Sequence, residues 1–188
     1  MCPAMMPTPD LAADLLAYIE ASPTPYHAVA ETARRLELAG FQRHREEDPW
    51  SLDSGARIYV VRGGGSIAAA RLGRRPPHES GFLLAGAHTD SPNLRVKPRP
   101  DLTRHGFRQL GVEVYGSPIL ASWMDRDLGL SGRVVVADGT GALASHLVTL
   151  RGPVARIPNL AIHLHRKVNA DGLVLNARRD QVLSASRF

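Results

Sequence analysis

Phe82-Leu83-Leu84-Ala85-Gly86-Ala87-His88-Thr89-Asp90-Ser91-Pro92 is the stretch that decides how this chain is read. Its apolar half, Phe82 to Ala87, stops abruptly at His88. A continuous apolar run predicts a strand buried on both faces, as in the sheet of an α/β domain. Ligands of such sheets gather where strands end. In an extended segment, residues two apart point the same way. His88 and Asp90 are therefore expected to offer an imidazole and a carboxylate to one cavity. A metal-bound histidine commonly leans on a carboxylate, so Asp90 suits a place behind the ligand or as a bridge to a base. The plainer alternative is a polar turn that Asp90 and Ser91 close by local hydrogen bonds. Spacing alone leaves both open.

Upstream, two helices are expected. Thr8-Pro9 reads as a hydroxyl cap before a proline, and Leu11, Leu15, Leu16 and Ile19 then recur at helical spacing. Ser22-Pro23-Thr24-Pro25 breaks the pattern and restarts it. Tyr26, Val29, Ala30, Ala33 and Leu36 form the second stripe, which Gly40 ends. Ile58–Val61 and Ile67–Ala70 flank Gly63-Gly64-Gly65 and read as a strand pair around a turn. Residues 74–80 read as a polar, Pro-rich loop.

Downstream the character changes near residue 93. Leu94–Lys97, Leu110–Tyr115, Arg133–Ala137 and Leu143–Leu150 are β-like, and Leu160–Leu164 reads as a further strand. Asn169–Gly172 reads as a turn. Asp138-Gly139-Thr140-Gly141 partly mimics a dinucleotide fingerprint, but no acidic residue follows at the distance that motif needs, which leaves a hairpin turn. His163-Leu164-His165 places two histidines on one face of the expected strand, where they can ligate or bind substrate; one packed and one solvated histidine is the simpler reading. Trp123-Met124-Asp125-Arg126-Asp127 is either a carboxylate pair or an ion-pair cluster that fixes a loop, the commoner use. There is no Gly-x-Ser-x-Gly elbow, Walker loop or Cys-x-x-Cys.

The chain has 188 residues, 44% hydrophobic and 22% charged, with a single cysteine, Cys2. This excludes a disordered segment, a membrane bundle and a disulfide scaffold. One cysteine near the N-terminus fits a reducing compartment and makes a poor nucleophile. No signal-like or spanning segment is present, so the cytoplasm is expected. The net charge is +5, and Lys97 and Lys167 are the only lysines among 23 basic residues. Residues 51–188 carry a balance of +9. The arginine pairs are isolated and not interleaved with aromatics, so a nucleic-acid partner is not expected.

Four stretches together give the chain a recognisable character. They are 22–29 (Ser-Pro-Thr-Pro-Tyr-His-Ala-Val), 87–94 (Ala-His-Thr-Asp-Ser-Pro-Asn-Leu), 111–118 continuing through 122–128, and 156–164 (Arg-Ile-Pro-Asn-Leu-Ala-Ile-His-Leu). In that order and spacing the chain resembles the N-terminal part of M18-family metalloaminopeptidases of the aspartyl aminopeptidase type. The resemblance implies an α/β fold: an incomplete zinc-exopeptidase-like catalytic domain over residues 1–92, with part of an inserted β-rich lid and oligomerisation domain over 93–188. It implies a pair of divalent ions, usually zinc, and removal of N-terminal, often acidic, residues from peptide substrates by a cytoplasmic homo-oligomer. His88 matches a metal ligand, Asp90 the acidic catalytic residue supporting the metal site, and His163 a histidine of the inserted domain assigned to metal or substrate. Neither nucleic acid nor membrane is implied as a partner.

Family members are considerably longer, and their remaining ligands and glutamate base lie beyond this part. One imidazole and one carboxylate do not close a dinuclear site. The 188-residue chain is therefore expected to be a partial sequence, inactive alone and poorly soluble. A non-catalytic fragment that only pairs with other subunits is the alternative.

Overall fold

The computed structural model describes residues 10–175 and the backbone of 182–185. Two compact units divide it, Met1–Asp90 and Ser91–Phe188.

In the first unit, α1 (Leu11–Ala21) begins at Asp10, whose carboxylate accepts from the amides of Ala12 and Ala13. That is the ordinary N-cap bond. The expected Thr8-Pro9 cap and Cys2 lie outside the described residues. The second helix, α2 (Pro25–Leu38), starts where Ser22-Pro23-Thr24-Pro25 restarts the pattern: Thr24 caps it through the His27 amide, and Pro25 stands in the first turn. Gly40, at φ +81°, follows its C-terminus. Tyr18 and Thr32 share a hydroxyl hydrogen bond of 2.8 Å between the two helices. Arg35 bridges them as well, donating twice to the Asp14 carboxylate at 2.8 Å while lying over the Tyr18 ring.

Against α2 lies a three-stranded sheet in the order β1 (Gln42–Arg43), β2 (Arg57–Arg62), β3 (Ser66–Arg71). β1 and β2 run parallel; β2 and β3 form the hairpin expected around Gly63-Gly64-Gly65. Ala28 and Val29 of α2 and Ile58 and Tyr59 of β2 are buried. The Tyr59 hydroxyl donates to Glu37, and burial, followed by that carboxylate, pushes its pKa up. A single-turn helix, α3 (Pro77–Ser80), sits in the loop read as irregular.

The second unit is a five-stranded antiparallel sheet. β4 (Asn93–Arg104) pairs with β5 (Phe107–Tyr115), and β6 (Leu128–Ala137) pairs with β7 (Leu143–Arg156). The register shifts between Val96 and Asp101. Pro98 and Pro100, which have no amide to give a ladder, fall within that shift. β8 (Val182–Ala185) completes the order β4-β5-β8-β7-β6. Val112, Ala155 and Ile157 are its buried core, with Leu94, Leu110, Trp123, Met124 and Leu128 packed around them. The Asp138 carboxylate closes the β6–β7 turn by accepting from the Thr140 and Ala142 amides and the Thr140 hydroxyl. The hairpin reading of Asp138–Gly141 holds, and the dinucleotide reading falls.

Two expected strands are absent. Residues 82–87 pair with no strand, and Phe82, Leu83 and Leu84 are exposed rather than buried on two faces. A doubly covered strand needs neighbours on both edges, and no other described strand flanks this run. Leu160–Leu164 is a turn, not a strand. Its amides bond locally, Leu164 to Ala161 at 2.8 Å and His165 to Ala161 at 3.2 Å, after Pro158 ends the extended path. Asn169–Gly172, read as a turn, mostly forms the one-turn helix α4 (Val168–Asp171).

Candidate metal centre

The segment from Phe82 to Ala87 is irregular, yet the pair it leads to assembles as the period of two requires. His88 Nδ1 lies 2.6 Å from the backbone carbonyl oxygen of Asp90 and 3.3 Å from its carboxylate Oδ1. A carbonyl only accepts, so Nδ1 is the donor and carries the proton in the neutral ring. The lone pair of that ring then belongs to Nε2. The His88 side chain is 80% exposed, so this nitrogen is accessible. The second contact gives the same Nδ1–H a carboxylate neighbour. This is the arrangement in which a ligating imidazole is fixed in orientation.

Thr89 points the other way. Its hydroxyl donates to the Gly65 carbonyl at 2.8 Å, across 24 residues of chain, and ties the loop to the β2–β3 turn. The sequence pattern does not single this residue out. Its alternation with His88 and Asp90 puts it on the inward side, but nothing in the local pattern names Gly65 as its partner.

His163 stands in the second unit, exposed, in the turn that replaces the expected strand. His165 therefore does not share a strand face with it. The Trp123–Asp127 cluster proves to be loop-fixing. The Asp125 amide donates to the Ile157 carbonyl at 2.8 Å, its carboxylate accepts from the Asn159 amide at 3.0 Å, and Asp127 pairs with Arg156.

A zinc ion takes imidazole nitrogen and carboxylate oxygen, so the donor chemistry at His88 fits it. A catalytic zinc takes three protein ligands. Among the described residues no three His, Cys, Asp or Glu side chains gather in a group able to hold a metal. His88 thus offers one donor of the kind such a set uses.

A family profile described as aminopeptidase I zinc metalloprotease (M18) matches residues 18–184. The chain belongs to the M18 family. A probable M18 family aminopeptidase 2 of Pseudomonas paraeruginosa is 55% identical over 166 residues, which are 88% of this chain and 38% of the relative. A Streptomyces avermitilis relative described in the same words is 53% identical, over 88% of this chain and 37% of its own length. The chain thus spans well under half the length of these M18 relatives. Among solved structures, a cryo-EM structure of an Ape4 and Nbr1 complex superposes with a TM-score of 0.83 at 38% identity, covering 93% of this chain and 34% of that one. The structure of an S. cerevisiae mApe1 dodecamer gives 0.77 at 30% identity, covering 94% and 38%. The mixed helix and sheet architecture of this chain is accordingly that of part of an M18 aminopeptidase. Among the described residues no helix is long and apolar enough to cross a membrane.

Proposed function

We propose that this chain carries part of the active site of a zinc-dependent aminopeptidase that removes N-terminal, acidic residues from peptides, with His88 as a metal ligand. The observation that carries this reading is the His88–Asp90 pair, with the ring proton committed to Nδ1 and Nε2 open to solvent. Asp90 acts through the imidazole, holding its orientation. His163 is carried with it as a histidine for metal or for substrate. A pair of zinc ions, when bound, supplies an acidified water and polarises the scissile carbonyl. The residues of this chain bind and orient; the proton-transferring base and the remaining ligands come from outside it. The reading extends to a homo-oligomer acting in the cytoplasm on peptide substrates, with neither nucleic acid nor membrane as a partner.

The reading is tested by assaying the 188-residue chain beside a chimaera in which it replaces the matching 166 residues of the Pseudomonas relative. The chimaera is expected to release N-terminal Asp or Glu from a peptide in the presence of zinc, and the short chain to show no turnover. Comparable turnover by the short chain overturns the assignment of ligands outside it, and an inactive but folded, zinc-loaded chimaera overturns the enzymatic reading. A second reading, a non-catalytic fragment that only associates with other subunits, is favoured by the absence of a gathered ligand set among the described residues. Size-exclusion chromatography with metal analysis separates the two: an oligomer of the 188-residue chain without zinc supports the fragment reading.

A further inference from the structure

We propose that Thr89 is the positioning residue of the His88 imidazole, acting through the turn at Gly65. Its functional meaning rests on His88 being a metal ligand, but its geometry stands independently. His88 Nδ1 reaches over Thr89 to the carbonyl of Asp90 at 2.6 Å. Whether that carbonyl faces the ring depends on how the backbone of Thr89 and Asp90 is turned. Among the described residues no strand pairs with 81–88. The Thr89 hydroxyl supplies a restraint, donating to the Gly65 carbonyl at 2.8 Å from a partly buried position.

The anchor itself is held. The Gly65 amide donates to the Arg62 carbonyl across the β2–β3 turn at 3.3 Å. A Cβ built on Gly65 would stand 3.6 Å from the Tyr26 ring, so that ring of α2 lies beside the turn. Hydrogen bonds thus run from the β2–β3 turn at Gly65 through Thr89 to the loop that carries the imidazole. Fixing the loop fixes the ring proton on Nδ1 and leaves the Nε2 lone pair outward, which a metal requires. Released from that carbonyl, a solvated neutral imidazole prefers the opposite tautomer, with its proton on Nε2.

The test reads the tautomer directly, without any metal. The chimaera, stripped of metal by chelator, is labelled with 15N-histidine, and the ring signals of His88 are assigned by their loss in His88→Ala. In alkaline buffer, two-bond proton–nitrogen correlations are expected to show the Nδ1–H form as the major species in the parent chain and in Thr89→Ser, which keeps the hydroxyl. In Thr89→Val, which keeps the shape and loses the donor, the Nε2–H form is expected to become the major one. A packing role alone would leave Thr89→Val closer to the parent than Thr89→Ser. An Nε2–H form in the parent, an unchanged tautomer in Thr89→Val, or a switched one in Thr89→Ser each overturns the proposal. The Thr89→Ser arm decides even where Thr89→Val fails to fold. Zinc content unchanged by His88→Ala in the chimaera would defeat the ligand reading and leave this result standing.

Discussion

The pairing of His88 with Asp90 was legible because a period of two and a polar break after an apolar run are both local signals. It is observed as 2.6 Å to the carbonyl and 3.3 Å to the carboxylate. Replacing His88 by alanine in the chimaera is expected to remove at least one zinc per chain by elemental analysis, with folding unchanged because the side chain is mostly exposed. Asp90→Asn keeps the carbonyl contact and loses the charge, so zinc affinity is expected to fall by 10–100-fold, the usual cost of disturbing a ligand's hydrogen-bond partner. Chelator competition measures it, and an unchanged affinity would remove Asp90 from the site. Thr89 was not legible, because its partner lies 24 residues away and only the fold brings it near. Another residue-scale effect concerns Glu31. Hydrogen bonds from Arg34, then Arg35, pull its pKa from 4.5 to about 2. Because the folded value is the lower one, the stabilisation is present above pH 4.5 and is lost as pH falls towards 2. The arginine partners are partly solvated, which limits the gain to about 1 kcal/mol. The difference in unfolding free energy between the parent and Glu31→Gln should therefore close across that window in urea titrations, and a constant difference would show that the ion pairs contribute nothing.

Elements with their own punctuation were readable, and elements that depend on neighbours were not. Thr24-Pro25 starts α2 by a cap and a fixed φ, both properties of the residues themselves. Thr24→Ala is expected to cost about 1 kcal/mol in urea unfolding, with helical circular dichroism falling in step. A loss below a few tenths would mean that the 3.3 Å bond to the His27 amide is idle. The β2–β3 and β6–β7 turns announced themselves by Gly63-Gly64-Gly65 and Asp138-Gly139-Thr140-Gly141. Phe82–Ala87 looked like a buried strand because its composition matches one, but a strand forms only with a paired edge, and composition carries no information about that edge. Leu160–Leu164 failed for the opposite reason. Pro158 and Asn159 deliver the chain into a turn whose local amide bonds replace any ladder, and the apolar residues are left exposed.

At the scale of the whole molecule, exposed apolar side chains are what the sequence least prepared for in number and best prepared for in kind. Leu11, Leu15, Leu16 and Ile19 leave the helical stripe of α1 in water, as do Phe82 to Leu84 in the irregular run. Patches of this sort mark surfaces that a protein normally covers. The β6–β7 hairpin is the most instructive case. β8 pairs with β7 only at Ala155 and Arg156, so from Gly132 to Thr149 the hairpin has no third strand beside it among the described residues. A two-stranded hairpin is marginal in water by itself. Val135, Leu143 and Leu147 share one of its faces, by the pairings Val135 with Ser145, Arg133 with Leu147 and Ala137 with Leu143, and they are 56%, 76% and 42% exposed. If this face meets another copy in the proposed homo-oligomer, burying each such side chain contributes about 1.5 kcal/mol or more. Charging two of them, Val135→Lys with Leu147→Lys, should then weaken self-association by roughly a hundredfold, at about 1.4 kcal/mol for each factor of ten. Light scattering across a dilution series of the chimaera reads this as a shift towards smaller species with hairpin circular dichroism retained. An assembly unmoved by both lysines would assign the contact to another surface and leave the hairpin face to be covered from within the longer polypeptide.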